Sequence, residues 1–239
     1  MKKTVCILIL LIVGIFPVLS QRVLLDEEVT EDFTEENYGP NEQSYTHTFF
    51  DVTFFIDKPE NDSAAIKYGH SGSFTYGIRQ KYKIFSFLAF GFEGYYSFFS
   101  YYLKQEDKKI LPNQINHDKE KLVVHNFGVS AYTRINVGRR GNTIGNYIDL
   151  GAYGNWAFYN MHITKDKINY NDPNHADKIK QKNSGLDYME QFNYGVQAAI
   201  GKNHFAVTGR YRLSDLFTSD YPRFPELPRL TVGVQINLY

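Results

Sequence analysis

The chain has 239 residues, a length that all-β barrels usually fold as one domain. Its 26 basic and 26 acidic residues give a formal net charge of zero, which argues against a nucleic-acid partner because such partners need a basic patch or stripe. A mean hydropathy of −0.40 is too polar for a helical membrane protein. The 19 Tyr and 19 Phe residues suit β-strands and membrane-interface girdles instead.

The first part of the chain has the features of a secretory signal peptide over residues 1–20. Positive charge at residues 2–3 precedes an apolar stretch at residues 4–16, and a cleavage site follows it. An uncleaved membrane anchor is the alternative, but the apolar stretch is short for a bilayer span. Cys6 is the only cysteine and lies inside this segment, so we expect a mature chain without disulfides and without a lipidated cysteine.

Residues 21–44 form an acidic segment in which one basic residue, Arg22, accompanies many carboxylates. The acidic residues are Asp26, Glu27, Glu28, Glu31, Asp32, Glu35, Glu36 and Glu42. Like charges at this density, followed by Gly39-Pro40, predict an extended or disordered periplasmic lead-in. A solvated linker is the favoured interpretation, and a partner-binding acidic tail stays open.

Over residues 45–239 apolar and polar residues alternate with a period of two, and this pattern predicts eight strands. The predicted strands are Tyr45–Ile56, Gly69–Arg79, Lys83–Leu103, Lys121–Val137, Ile144–Ile163, Leu186–Ile200, His204–Leu213 and Arg229–Tyr239. Short connections are expected at residues 80–81, 138–143 and 201–203, and long ones at residues 57–68, 104–120, 164–185 and 214–228. This alternation predicts an all-β fold, a closed antiparallel transmembrane β-barrel of about eight strands with an up-and-down meander.

The phase of the alternation predicts which face meets lipid. In the fourth predicted strand Phe127 and Val129 alternate with Asn126, Gly128 and Ser130. The apolar face is aromatic toward several strand ends and aliphatic between them, which is typical of a lipid-facing surface. A soluble barrel such as a lipocalin would turn its apolar face inward. The polar face, here the expected lumen, carries seven charged residues: Asp51, Arg79, Glu93, Arg134, Asp149, Arg210 and Arg212.

Charges inside a barrel of this size are expected to pair with one another. Eight strands enclose a space that side chains can just fill, and an unpaired buried charge costs several kcal/mol. We therefore predict a plugged lumen with a structural network of salt bridges rather than an open pore. For Arg79 and Arg212 a position in water at the barrel rim is an equal alternative.

With these features the chain resembles the small outer-membrane β-barrels of the Bacteroidota type, a broad group that includes OmpA-like and PorT-like barrels. The resemblance covers the predicted barrel and depends on its architecture, on the Ser20-Gln21 junction and on the final strand Leu230–Tyr239. It implies insertion into a Gram-negative outer membrane by the barrel-assembly machinery. Such barrels usually end on an aromatic residue in phase with the lipid-facing side chains. Tyr239 is out of phase, so either the register bulges or Leu238 takes that place.

The sequence predicts no catalytic site. A serine–histidine–acid group needs its members within hydrogen-bond reach, yet His125 and Ser130 lie on opposite faces of one strand. His70 has Ser71 and Ser73 nearby but no obvious carboxylate. The remaining histidines are His47, His117, His162, His175 and His204. We expect most histidines to lie at strand ends, where an amphipathic ring suits an interface.

No metal or cofactor site is predicted either. The third long loop is rich in oxygen ligands of the kind Ca²⁺ prefers, but their spacing matches no calcium loop and Pro173 interrupts it, so a polar loop is favoured. These residues are Asn169, Asn171, Asp172, Asn174 and Asp177. The segment Asp62-Ser63-Ala64 resembles a short O-glycosylation signal that often occurs by chance. Gly-rich phosphate loops and Cys/His clusters are absent from the sequence.

Three functions stay open from the sequence. The favoured one is a non-enzymatic outer-membrane barrel with a structural or interaction role through its long outside loops. Its partners would be outer-membrane lipid, the assembly machinery and an envelope protein. The second is a lipid-modifying barrel enzyme, which needs a polar cluster on the lipid-facing side near the outside rim. The third is a soluble periplasmic ligand-binding barrel, and solute transport would require an unplugged lumen.

Overall fold

A computed structural model describes residues 39–58, 62–138, 141, 143–167 and 178–238. The predicted signal peptide, most of the acidic lead-in, the candidate calcium ligands and Tyr239 lie outside these residues. The fold is all-β, and the described part of the chain contains two short 3-10 helices, Asp62–Ala64 and Tyr68–His70, but no α-helix. Its nine strands are β1 Ser44–Phe55, β2 Gly72–Lys83, β3 Leu88–Tyr102, β4 Lys119–Val137, β5 Asn146–Lys167, β6 Lys178–Ser184, β7 Phe192–Lys202, β8 Phe205–Arg212 and β9 Leu230–Leu238.

Eight of the nine strands close into a ring. Each strand pairs antiparallel with the next in the order β1, β2, β3, β4, β5, β7, β8, β9, and β9 pairs back onto β1. The predicted all-β antiparallel sheet is therefore confirmed. Short turns join β2 to β3, β4 to β5 and β7 to β8 at one end, the short-turn end. The other four connections lie at the long-loop end.

The strand β6 corrects the prediction of a long loop over residues 164–185. It pairs only with the last seven residues of β5, Met161–Lys167, and so extends a hairpin beyond the ring. All seven of its residues are exposed. Because neither face of β6 is buried, its sequence carries no apolar alternation, and periodicity could not reveal it.

The first short connection also differs from the prediction at residues 80–81. The chain turns at residues 84–87 instead, where the amides of Ile84 and Phe85 donate to the carbonyl of Leu88 at 3.0 and 2.9 Å. Lys81 is buried on the inner face of β2, and its ammonium donates to the carbonyl of Pro40 at 2.7 Å. The polar residues Gln80 and Lys81 were predicted to form a turn, but they lie inside β2.

A β-bulge shifts the phase of β5. His125 pairs with Tyr159 while Asn126 pairs with Ala157, so Phe158 is the extra residue. Phe158 and Tyr159 consequently both point outward and are exposed. Beyond the bulge Asn160, His162 and Thr164 face inward and are buried.

The outer faces of the ring are apolar and the inner faces are polar. Val129 at the middle of β4 is 69% exposed, as is Phe192 at the start of β7. The prediction that apolar side chains face outward and polar ones inward therefore agrees with the fold. Glycine leaves room for large side chains inside the ring. For example, a Cβ added to Gly91 would lie 2.4 Å from the ring of Tyr132.

Candidate functional site

The centre of the barrel interior is organised around Arg79 on β2. Its guanidinium forms ion pairs with Glu93 on β3 and, at 3.1 Å, with Asp149 on β5. Arg134 on β4 binds the same carboxylate in a bidentate manner, since its Nε and Nη2 donate to the two oxygens of Asp149 at 2.7 Å each. Four residues from four strands therefore share one buried ionic cluster. The bidentate geometry of Arg134 and Asp149 is the one in which guanidinium and carboxylate bind most strongly.

A second group of polar contacts continues the cluster toward β8. The Nη2 of Arg210 lies 3.8 Å from Oδ2 of Asp51, and the hydroxyl of Thr208 donates to Oδ1 of Asp51 at 3.0 Å. Ser130 and Gln197 donate to Oε2 of Glu93 at 2.6 and 3.2 Å. These contacts link Asp51 on β1 to β8, and Glu93 on β3 to β4 and β7.

Aromatic rings fill the space between the charged groups. The guanidinium carbon of Arg134 lies 3.8 Å from the ring centre of Tyr147, and that of Arg79 lies 4.6 Å from the ring centre of Tyr132. Arg210 lies 5.0 Å from the ring centre of Tyr95 in the same way. Such cation–π contacts add stability where water is excluded.

These six charged side chains balance one another and fill the lumen. Three arginines (79, 134 and 210) face three carboxylates (51, 93 and 149), and all six residues are buried. The cavity beside the cluster at Gln197 is about 10 Å³, and the one toward the long-loop end is about 30 Å³. Spaces of this size hold about one or two water molecules, so neither cavity provides a path along the lumen.

Arg212, the seventh predicted lumen residue, lies apart from the cluster at the long-loop end. It is buried, and its Nη1 donates to Oε2 of Glu226 at 2.9 Å while its Nη2 donates to the carbonyl of Leu227 at 3.1 Å. Glu226 also accepts the amide of Leu216 at 2.9 Å. Sequence reasoning missed Glu226 because it lies in a long loop, although its apolar neighbours in Phe-Pro-Glu-Leu-Pro were a signal of burial. Arg79 and Arg212 are thus both buried rather than in water at the rim.

An apolar cap, formed by residues of the long loops and of the adjoining strand ends, closes the long-loop end of the barrel. Its buried members include Phe55, Ile66, Tyr101, Leu103, Leu111, Leu122, Val124, Met189, Leu216, Phe217 and Leu227. The loops pair through backbone bridges between Ile66 and Leu103 and between Met189 and Phe217. Burial raises the pKa of Tyr188, which packs against this cap. The cap gives the loop surface an ordered base, a feature absent from the sequence prediction.

A separate polar cluster ties the β3–β4 connection to the barrel wall. The carboxylate of Glu120 binds His162 Nε2 at 2.7 Å and accepts from Gln105 at 2.8 Å and from the ammonium of Lys109. The contacts from Gln105 and Lys109 join the loop to β4, and the contact with His162 joins β4 to β5. None of the three involves a hydroxyl nucleophile.

The histidines near the strand ends have structural partners. On the outer face, His125 Nδ1 lies 2.6 Å from the hydroxyl of Tyr96, among the rings of Phe98, Phe158 and Tyr159. His117 binds Asp166 at 2.8 Å. In the described part of the chain, no group of three or more His, Cys, Asp or Glu side chains could hold a metal ion.

Comparisons with known proteins identify no family for this chain. Neither the scan against protein-family models nor the search of curated proteins finds a match for this chain.

Proposed function

We propose that this protein is an outer-membrane β-barrel with a side-chain-filled lumen, acting as a structural or interaction protein through its long loops on the outside of the cell. One observation carries the proposal: the ring is apolar outside and charged inside. Water would make that arrangement costly, because many large apolar side chains would stay hydrated while the charges lose water. In lipid the apolar face needs no other cover, and the closed ring pairs the backbone groups of its strands.

The outward aromatic residues support this orientation. At the long-loop end Tyr96, Phe127, Trp156 and Phe158 form a connected group on the outer face. At the short-turn end Phe85 and Phe87 stack at 5.8 Å and are exposed. On β5 and β7 the outward residues between these levels, such as Leu150, Val196 and Ile200, are aliphatic. Aromatic levels with aliphatic residues between them are typical of the girdles of a membrane barrel. Among the described residues no helix is long and apolar enough to cross a bilayer.

The alternatives fit the geometry less well. A soluble ligand-binding barrel needs apolar side chains around an interior cavity, whereas this interior is charged and filled. A solute channel needs a continuous lumen. A lipid-modifying enzyme needs a nucleophile and an acid beside an outward base, but the described outward partner of His125 is the Tyr96 hydroxyl. In this proposal the loop surface above the apolar cap is the part of the molecule that contacts a partner.

The orientation is tested by labelling two exposed lysine positions at opposite ends, each converted to cysteine. Lys108 lies in the β3–β4 connection and Lys202 beside the β7–β8 turn. A maleimide too large for outer-membrane pores should label Lys108→Cys on intact cells, and Lys202→Cys only after the outer membrane is permeabilised. Cys6 lies in the predicted signal peptide and gives no background once that segment is cleaved. Equal labelling of both positions on intact cells would contradict the orientation.

A further inference from the structure

Seven lysines lie on one face of the sheet that projects at the long-loop end. In the paired register, Lys119 of β4 is opposite Lys165 of β5, and Lys165 is opposite Lys180 of β6. Lys167 is opposite Lys178 in the next row. Lys121 and Lys182 flank Ile163 in the row below. We call this set the lysine ladder: Lys119, Lys121, Lys165, Lys167, Lys178, Lys180 and Lys182.

The ladder is on the outer side of the sheet. On β4 and β5 the alternate residues, such as Leu122 and His162, are buried on the inner side. The acidic residues of β4 and β5 do not share the ladder's face: Glu120 and Asp149 are buried inside, and Asp166 binds His117. The described part of these three strands therefore presents one outward surface of a single sign.

Like charges directly opposite one another in a sheet are destabilising. Lys165 has a lysine opposite it on both neighbouring strands. Lys182, and to a smaller extent Lys165 and Lys121, lower the pKa of the Lys180 amine, because their positive charges oppose its own. A bound anion would relieve this repulsion, and several lysines in two adjoining rows suit a group with more than one negative charge.

The position of the ladder indicates where the anion comes from. Lys121 is four residues along β4 from His125, which lies among the outward aromatic rings. At the usual strand rise of about 3.4 Å per residue the distance is about 14 Å. In the proposed membrane orientation this is the level just above the apolar band, where lipid headgroups lie.

An outward groove adjoins the ladder on the side of the apolar band. Its volume is about 500 Å³, and Phe158, Tyr159 and Phe192 form its aromatic lining. It begins at Gly185, directly after β6 ends at Ser184. Asp187 and Glu190 also line it, so a phosphate belongs on the ladder. The aromatic side of the groove offers the apolar contact that an acyl chain needs.

From this arrangement we infer that the lysine ladder and the adjoining groove bind a phosphorylated lipid of the surrounding membrane leaflet, with its phosphate on the lysines. This inference rests on the proposed outer-membrane function. Each lysine near a charged headgroup adds attraction that salt weakens. Removal of three ladder lysines should therefore weaken binding by at least about tenfold.

The test compares two triple variants of the full chain in zwitterionic detergent micelles. Lys165→Gln/Lys180→Gln/Lys182→Gln changes the ladder, and Lys58→Gln/Lys67→Gln/Lys108→Gln removes the same charge from exposed lysines elsewhere at the long-loop end. Native mass spectrometry measures binding of phosphatidic acid and of phosphatidylcholine. The unchanged protein should prefer phosphatidic acid, the ladder variant should lose that preference, and the control variant should keep it. Lys165→Arg/Lys180→Arg/Lys182→Arg should also keep it.

Several results would overturn the inference. One is equal binding of phosphatidic acid by the ladder and control variants. Another is displacement of the lipid by equimolar inorganic phosphate, which would assign the ladder to a free anion. A third is preference for an acidic peptide over phosphatidic acid, which would make the ladder a protein-binding surface. A gel-mobility shift on heating, measured on the same samples, separates the two proposals: a barrel that shifts but ignores the lipid contradicts this inference alone.

Discussion

Arg134→Ala is expected to lower the free energy of unfolding of the barrel by about 3 kcal/mol or more. Arg134 supplies both strong hydrogen bonds to the carboxylate of Asp149, each 2.7 Å long, and Arg79 alone would remain at 3.1 Å. Loss of one buried partner leaves a desolvated charge that water cannot reach. Urea unfolding of the refolded protein in lipid vesicles, followed by tryptophan fluorescence, measures the change.

Two further variants give this prediction its controls. Lys104→Ala removes an exposed ion pair with Glu106, in which the side chains are 43% and 52% exposed, and should cost less than about 1 kcal/mol. Arg134→Met combined with Asp149→Asn keeps the lumen neutral and should recover part of the loss. If Arg134→Ala costs no more than Lys104→Ala, the lumen charge network does not stabilise the barrel.

Val129→Arg is the second change with a large expected effect. Val129 points outward from the middle of β4 and is 69% exposed. On the surface of a soluble protein such a substitution changes stability by about 0.5 kcal/mol at most. At the midplane of a bilayer an arginine on the lipid face of a barrel costs about 2–4 kcal/mol. The same vesicle unfolding experiment measures the difference.

Ile115→Arg is the matched control for the lipid-facing substitution. Ile115 lies in the β3–β4 connection and is 62% exposed, so the two sites differ little in exposure within the fold itself. The proposed orientation places only Val129 in hydrocarbon. Equal effects of the two substitutions would indicate that both sites face water.

The strands of the ring were predictable because each has one buried and one exposed face. This gives a period of two, and the pattern continues through charged positions such as Arg134 and Asp149, because their side chains satisfy each other across neighbouring strands. The inner position of the charges followed from the phase alone. Which arginine meets which carboxylate depends on register. The alternation excludes a slip of one residue, which would turn every side chain to the other face, but a slip of two residues keeps the same pattern.

Other features could not be predicted from periodicity. β6 has no buried face, and the bulge at Phe158 is a one-residue event inside a regular strand. The apolar cap uses residues such as Leu111 and Leu216, which lie in irregular loops and have no periodic neighbours. The lysine ladder arises only when β6 is placed beside β5, so it too required the strand pairing.

The most direct test of the central claim is a heat-modifiability gel on the detergent-extracted outer-membrane fraction, comparing unboiled with boiled samples. A closed barrel that resists detergent keeps its folded shape until it is boiled. The expected result is a mobility shift of the protein within that fraction. The absence of a shift, with the protein recovered in the soluble periplasmic fraction, would contradict a membrane-embedded barrel and favour a soluble one.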